Sequence, residues 1–284
     1  MAPTHLTTVE VHRCFAGGQG VYRHASLATG TPMTFGVYLP PQAEKARVPA
    51  LIFLVGGDTA WEDAMVKAGA QGWCAAAGLA FITPDACPRG SDLPGERASA
   101  GFASGAGFYL DATRPPWDRH YRMESYVAEE LPSLVAGHFP IDEARLGIAG
   151  HAMGGQGALS LALKHPERFK SVSAFAPVCA PSQCPWGEKA LAAYVGPDRA
   201  AWRAHDACAL IADGWRIADI LIDQGLADRF LEETLRPELL AAACAKAGIP
   251  LRLRYQTGYD HSYYFVASFI ADHVRYHAAR LGGN

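Results

Sequence analysis

Six short apolar segments recur along the chain, and the stretches between them are long enough to hold helices. They are Pro49–Val55, Leu79–Thr83, Leu146–Ala149, Ser171–Ala176, Ile217–Asp223 and Leu251–Gln256. A strand covered by helices on both faces is apolar nearly throughout, so this arrangement predicts an α/β fold with a mostly parallel central sheet. Hydrophobic residues make up 50% of the 284 residues, which is enough to fill such a core, and we expect one domain spanning 1–284.

The first forty residues read differently from the rest. Two β-rich runs, Gly20–Ala25 and Met33–Leu39, are separated by Gly and Pro and predict antiparallel strands at one edge of the sheet. Apolar spacing and flanking Gly or Pro predict helices at Met123–His138, Gln156–Lys164, Pro237–Ala247 and Ser262–Leu281. The Gly/Ser-rich stretch Gly90–Gly107 is the longest predicted loop, and it either borders a functional pocket or only connects elements.

Charge and composition restrict the classes of partner. A formal net charge of -3 gives no electrostatic reason for binding nucleic acid or an anionic membrane, so a small-molecule substrate fits better. The segment Met1–Val11 has no apolar run after a basic start, and no stretch approaches the roughly eighteen apolar residues of a membrane span. We therefore expect a cytoplasmic protein without a membrane anchor.

The seven cysteines are scattered, odd in number, and unsuited to a disulfide framework in a chain of this size. Cys179 and Cys184 are five residues apart, but no second Cys or His pair accompanies them as a zinc site would require. We expect reduced structural thiols and no metal.

Residues 145–158 run from a predicted strand through a sharp glycine-rich turn into a predicted helix. This order is typical of a nucleophile elbow, Gly-x-Ser-x-Gly, in which small flanking residues allow a strained turn that raises the central side chain above the sheet. Gly150 and Gly154 occupy the flanking positions and Ala152 the central one. The methyl group of alanine has neither a lone pair to attack with nor a proton to give up. In a chain with 29 glycines this motif can arise by chance, so the residues that surround it in the fold must decide whether it is a nucleophile elbow.

An acid and a histidine should follow the elbow after two later strands. Asp223 and Asp228 end one such strand, and His261 lies in the loop after the next. We choose Asp228 as the carboxylate that orients His261, which would move protons between nucleophile and leaving group. The structural alternative, a capping or ion-pairing role, is favoured for Asp223 and Asp260.

At these positions the chain resembles the S-formylglutathione hydrolase (esterase D) family of serine hydrolases over essentially its whole length. The matching segments are Val37–Pro41, Pro88–Gly90, Gly105–Tyr109, Asp111–Thr113, Tyr121–Met123, Ser173–Pro177, Cys184–Gly187, Leu221–Gly225 and Gly258–Phe265. The family's Gly-His-Ser-Met-Gly-Gly falls on Gly150–Gly155, so the resemblance implies a catalytic triad at position 152, Asp228 and His261 in an α/β-hydrolase fold. It supports Asp228 over Asp223, because the family's acid lies five residues beyond the Asp-Gln-Gly aspartate.

The resemblance also implies an oxyanion hole made by the backbone N–H groups of Met153 and Gly57. The segment Leu54–Ala60 departs from the family's Leu-Ser-Gly-Leu-Thr-Cys-Thr: Thr59 replaces a redox-sensitive cysteine, and Asp58 adds a negative charge near the oxyanion. A different substrate range would follow. Trp186 matches a family tryptophan of the acyl pocket, with ordinary aromatic packing as the alternative.

With Ala152 in the nucleophile position, we expect the chain to bind substrate with almost no turnover. Retention of both other triad residues favours a deliberate replacement, made to trap a ligand, over natural decay. The implied activity with serine at 152 is hydrolysis of S-formylglutathione to formate and glutathione without a cofactor, with a homodimer as a possible assembly. The alternatives are a broad short-chain carboxylesterase or acyltransferase and a non-catalytic binding protein.

Overall fold

The described part of the chain is built on one sheet. A computed structural model describes residues 5–96 and 102–282. The strands within these residues are β1 (Leu6–Cys14), β2 (Gly17–Ala25), β3 (Pro32–Leu39), β4 (Val48–Leu54), β5 (Ala80–Pro84), β6 (Ile141–His151), β7 (Phe169–Phe175), β8 (Ile220–Gly225) and β9 (Leu251–Gln256). Their spatial order is β1-β2-β3-β5-β4-β6-β7-β8-β9.

Strand direction divides the sheet into two parts. β1, β2 and β3 pair antiparallel, and β3 also runs antiparallel to β5. All pairings from β5 through β9 are parallel. The predicted α/β fold with antiparallel strands at one edge is confirmed.

Helices fill the connections between the parallel strands. Those in the described residues are α1 (Trp61–Lys67), α2 (Gln71–Ala77), α3 (Met123–Ser125), α4 (Leu131–His138), α5 (Met153–Lys164), α6 (Pro185–Tyr194), α7 (Arg199–Trp202), α8 (Ala207–Ala212), α9 (Pro237–Ala247) and α10 (Tyr263–Leu281). Considering residues 5–96 and 102–282 only, none of these helices is both long and apolar enough to cross a bilayer.

The central strands form the core. Every residue of β4 is buried, as its unbroken apolar sequence requires for a strand with helices on both faces. The Phe53 ring lies 5.7 Å from that of Phe81 on β5 and 6.2 Å from that of Phe175 on β7. Burial of each large apolar side chain contributes about 1.5–3 kcal/mol, so this strand is a rigid base for the loop that follows it.

The helix predicted at Met123–His138 is present over that whole range, and it contains a π-helical turn, Tyr126–Glu130, between α3 and α4. Pro132 in the first turn of α4 has no N–H to bond back to the preceding turn, so a wider turn can be accommodated there. Several predicted bounds differ from the structure by a few residues; α5, for example, begins at Met153 rather than Gln156, and β6 begins at Ile141 rather than Leu146. The first part of β6 contains polar residues, so the pattern of apolar segments did not include it in the predicted strand.

Candidate active site

Residue 152 occupies a strained turn between β6 and α5. The backbone of Ala152 has φ 54° and ψ −114°, and its N–H donates to the Phe175 carbonyl at 3.0 Å. A Cβ placed on Gly150 would lie 2.2 Å from the Gly154 carbonyl oxygen, and one on Gly154 would lie 2.0 Å from the Leu54 carbonyl oxygen. Only glycine fits at either position, as the elbow motif requires.

Two loops bring an acid and a base together. Asp228 follows β8, His261 follows β9, and the His261 Nδ1 lies 2.5 Å from the Asp228 Oδ2. The other oxygen of Asp228 accepts the Phe230 N–H at 2.9 Å. The Asp228 side chain is fully buried, whereas 23% of the His261 side chain is exposed. A carboxylate at Nδ1 favours the tautomer that leaves Nε2 free to take a proton.

Backbone contacts fix these loops against each other. The Leu226 N–H donates to the Gln256 carbonyl at 3.0 Å, and the Ala227 N–H donates to the Tyr259 carbonyl at 2.9 Å. A Cβ on Gly225 would lie 2.4 Å from that same Tyr259 oxygen. The spacing of Asp228 and His261 is therefore set by main-chain atoms as well as by their own hydrogen bond.

Residue 152 and His261 face the same cavity. Its volume is about 480 Å³, within the usual range for small-molecule sites. Its wall includes Gly57, Trp186 and Arg229. The structure thus brings the three predicted triad positions to one edge of the sheet, as their places in the chain order predicted.

Two further rings contact His261 that sequence reasoning did not identify. The His151 ring centroid lies 4.5 Å from that of His261, and the Phe230 ring approaches edge-on at 5.0 Å. Burial, reinforced by the charge of His261, holds the pKa of His151 well below its usual value. His151 is therefore neutral at neutral pH and does not oppose a positive charge on His261. Its position directly before the elbow residue was the one available signal.

Of the two predicted oxyanion donors, Met153 follows residue 152 in the chain and Gly57 lies in the wall of the same cavity as residue 152. Met153 is the first residue of α5, where backbone N–H groups have no acceptor within the helix. Gly57 lies in the cavity wall so close to Trp186 that a Cβ on it would be 3.0 Å from that ring. Trp186 also contacts Phe108, with ring centroids 4.7 Å apart. Trp186 therefore has features of both alternatives considered for it: it lines the cavity, and it packs against another aromatic ring.

The remaining candidate carboxylates have structural partners. Asp223 is fully buried and accepts hydrogen bonds from Arg254 Nε at 2.9 Å, Gln256 Nε2 at 2.6 Å and His273 Nε2 at 2.9 Å. Asp260 accepts from the N–H of Ser262 at 3.0 Å. These contacts are the ion pairing and turn capping that the sequence favoured for them.

The unusual segment after β4 forms part of the cavity wall. Asp58 has φ 58°, and its N–H donates to the Gly105 carbonyl at 3.0 Å. The Thr59 hydroxyl donates to the Gly56 carbonyl at 2.7 Å.

Of the predicted loop 90–107, residues 97–101 lie outside the described residues. Its described residues are not among those that line the cavity, and one of them, Gly105, accepts the hydrogen bond from the Asp58 N–H.

All seven cysteines are free thiols, and all but Cys14 are buried. Burial raises the pKa of Cys87 and of Cys244 to about 11. Such thiols are protonated at neutral pH and unreactive.

In the parts of the chain that the structure describes, no group of three or more His, Cys, Asp or Glu side chains could hold a metal ion.

A mostly parallel sheet, a strained elbow after a central strand, and an Asp–His pair in the loops after two later strands together define the class of α/β-hydrolases. A family model described as "Putative esterase" matches residues 26–276. The chain is 53% identical to the S-formylglutathione hydrolase of Paracoccus denitrificans over 275 residues, covering 97% of this chain and 98% of that protein. It is 49% identical to the Rattus norvegicus S-formylglutathione hydrolase over 279 residues, covering 97% and 99%.

A solved structure of an S-formylglutathione hydrolase from Agrobacterium tumefaciens superposes with a TM-score of 0.96 at 48% identity, covering 97% of this chain and all of that one. The chain therefore belongs to the esterase family and, within it, to the S-formylglutathione hydrolases. A serine hydrolase of Staphylococcus aureus, FphF, shares the fold alone, with a TM-score of 0.73 at 18% identity.

Proposed function

We propose that the cavity is an acyl-transfer site for S-formylglutathione, and that the chain with Ala152 binds this thioester without turning it over. The observation that carries the proposal is the 2.5 Å contact between Asp228 and His261, whose side chain lines the cavity that also holds the elbow residue. The activity named for the relatives at 49–53% identity supports the choice of substrate.

With serine at position 152, its hydroxyl oxygen attacks the thioester carbonyl while His261 Nε2 accepts the hydroxyl proton. Asp228 holds the imidazole in place and stabilises its positive charge. The tetrahedral intermediate collapses, the carbon–sulfur bond breaks, and His261 returns the proton to the departing thiolate, which leaves as glutathione. Water, deprotonated by His261, then attacks the formyl-serine ester, the bond from the acyl carbon to the serine oxygen breaks, and His261 returns the proton to that oxygen as formate leaves.

The backbone N–H groups of Met153 and Gly57 are the proposed donors to the oxygen of the tetrahedral intermediate. A donor of this kind is worth about 3–4 kcal/mol of transition-state stabilisation in comparable enzymes. Trp186, seated on Gly57, would then border the small acyl group. These steps need no metal and no organic cofactor.

Replacing the nucleophile by alanine removes the attack but leaves the binding surface. Loss of the nucleophile from a triad lowers the rate by about 10⁶-fold. The intact Asp228–His261 pair favours a deliberate replacement of serine over gradual decay.

The cytoplasmic location, the single-domain organisation and a homodimer stay predictions.

A second candidate function is broad hydrolysis of short-chain esters. The observation that favours it is Asp58, whose position in the cavity wall adds a carboxylate close to the proposed oxyanion site. A negative charge there would change which acyl and thiol groups are accepted. A non-catalytic binding protein with native Ala152 is the third possibility.

The test is Ala152→Ser, assayed for kcat/KM with S-formylglutathione and with p-nitrophenyl acetate. We expect a gain of about 10⁶-fold over the parent chain. Adding His261→Gln should remove the gain, which controls for a contaminating esterase. A higher kcat/KM for the acetate would refute the substrate assignment. No hydrolysis of either compound would leave the binding protein as the conclusion.

A further inference from the structure

Arg229 places a positive charge on the wall of the active-site cavity. It directly follows the acid Asp228 in the chain, and it is exposed. The carbon at the centre of its guanidinium group lies 4.6 Å from the centroid of the Phe230 ring. That ring in turn contacts His261 edge-on at 5.0 Å. One aromatic side chain therefore separates the guanidinium from the imidazole.

The charge of Arg229 is not neutralised by the protein. Within residues 5–96 and 102–282 no carboxylate forms an ion pair with it, whereas Arg254 and Arg280, for example, are paired with Asp223 and Asp219. The other formally charged residue of the cavity wall, Asp58, lies on the segment beside Gly57 and has an interaction of its own. Arg229 is therefore available to an anion that enters the cavity.

The chemistry of the reaction decides which half of the substrate meets this charge. His261 must return a proton to the departing sulfur, so the thiol half lies beside the imidazole when the carbon–sulfur bond breaks. Phe230 and Arg229 extend the wall outward from that side. The formyl group carries no charge and is too small to reach them. The thiol half, a tripeptide with two carboxylates, can.

We infer that Arg229 binds a carboxylate of the thiol leaving group and so selects anionic thioesters over neutral ones; this rests on the function proposed above. A guanidinium presents paired N–H donors that match a carboxylate. Its contact with the Phe230 face restricts its motion, which lowers the entropy lost on binding. The selectivity arises from binding of the thiol half and not from the acyl-transfer step.

The test compares S-formylglutathione with its diethyl ester, in which ethyl groups remove the charge of both carboxylates. In the Ala152→Ser background, Arg229→Gln should raise KM for S-formylglutathione roughly 10-fold with kcat little changed, as expected for a lost charged hydrogen bond at a partly exposed site. The diethyl ester should be hydrolysed as before. Arg229→Lys should retain part of the discrimination.

Arg275→Gln is the matched control. Its guanidinium also lies over an aromatic ring, 5.1 Å from the centroid of Trp73, but it belongs to α10 and does not line the cavity. It should leave both KM values unchanged. Equal loss on both substrates in Arg229→Gln would mean that the residue only shapes the site, and no loss on either would mean that it binds nothing. Both results overturn the inference.

A calorimetric titration separates this inference from the function on which it rests. The parent chain with Ala152 can be titrated with glutathione without turnover, and Arg229→Gln should weaken binding roughly 10-fold at low salt, with a smaller effect at high salt. If Ala152→Ser hydrolyses nothing but the titration shows this loss, the proposed function fails while the carboxylate site stands. If Ala152→Ser is active and the titration is unchanged, only the carboxylate site fails.

Discussion

Two aspartates five residues apart illustrate how surroundings assign different tasks to the same side chain. Asp228 presents one oxygen to His261 and keeps the other on a backbone N–H of its own loop. Asp223 is surrounded by donors from β9 and α10. Burial alone would raise its pKa, but hydrogen bonds from His273 and Arg254 hold the pKa of Asp223 below its usual value. It is thus a charged structural link between the elements that precede Asp228 and His261 in the chain.

Substituting each aspartate by asparagine should separate these tasks. In the Ala152→Ser background, Asp228→Asn should lower kcat about 10⁴-fold, because an amide cannot hold the imidazole in the required tautomer or stabilise its charge. Asp223→Asn should leave kcat within a few-fold but lower the free energy of unfolding by about 2–3 kcal/mol, since Arg254 and His273 lose a charged acceptor. Steady-state kinetics and urea unfolding of both variants measure the two effects. The opposite pattern would reassign the acid to Asp223.

Among the elements, the turn from β6 into α5 depends most on the absence of side chains. Gly154 faces the backbone of the loop after β4, and the contacts of a Cβ at this position would be with the Leu54 and Val55 carbonyl oxygens at 2.0 and 2.6 Å. Main-chain atoms of a buried strand cannot move aside as a flexible side chain can. The elbow and the start of the cavity wall are therefore packed directly against each other.

A pair of glycine-to-alanine substitutions tests this packing. Gly154→Ala should lower the free energy of unfolding by about 3 kcal/mol or more, because it overpacks a rigid site. Gly137→Ala is the control: Gly137 lies in helix α4 with nothing within 4 Å of an added Cβ, so alanine should stabilise by up to about 1 kcal/mol. Guanidinium unfolding of the parent chain and both variants measures the change. Equal midpoints for all three would contradict the geometry of the elbow.

How much of an element could be predicted depended on whether it buries a face. The fully buried β4 was evident from its apolar sequence. β1 was not, because seven of its nine residues are exposed and no alternation marks a core side. The short helices α1 and α2 span about two turns each and show too little periodicity to be recognised. The apolar pattern of a sequence indicates which residues are buried. Elements that bury few residues therefore cannot be recognised from it.

The same reasoning applies to the site. Position 152, Asp228 and His261 were predictable because the elbow motif and the order of strands place them at one sheet edge. The contacts of His151 and Phe230 with His261 were not, because they depend on the paths of two loops. Those paths are set by backbone hydrogen bonds such as that from Ala227 to Tyr259, which no side-chain pattern records.

At the scale of the whole molecule, several histidines are buried in an uncharged form. Burial is the main cause that lowers the pKa in each case, most strongly for His151 and His277, and to about 4 for His205. The pKa values of His24 and His273 are lowered in the same way. In the unfolded chain these groups would titrate near their ordinary value of about 6.5. The folded state then binds fewer protons than the unfolded state at mildly acidic pH.

Stability should therefore decline as pH falls below about 6.5, because the unfolded state takes up protons that the folded state excludes. Each imidazole that stays neutral contributes a loss of up to about 1.4 kcal/mol per pH unit in this window. Urea unfolding at pH 7.5, 6.5, 5.5 and 5.0 measures the slope, and His277→Gln should reduce it. A carboxylate whose pKa is lowered, such as Glu124 at about 2, loses its contribution mainly below about pH 5, because the same group in the unfolded chain titrates at about 4.3. A free energy of unfolding that stays constant over this range would refute the explanation.

The backbone at residue 152 is held from outside its own side chain. Its N–H bonds to the end of β7, and its carbonyl oxygen accepts the N–H groups of Gln156 and Val178. The positive φ of residue 152 is therefore imposed by the neighbouring strand and helix, and it does not depend on whether the side chain carries a hydroxyl. Under the function proposed above, exchanging one residue on this unchanged backbone is enough to convert a protein that retains its ligand intact into a catalyst that consumes it, or the reverse.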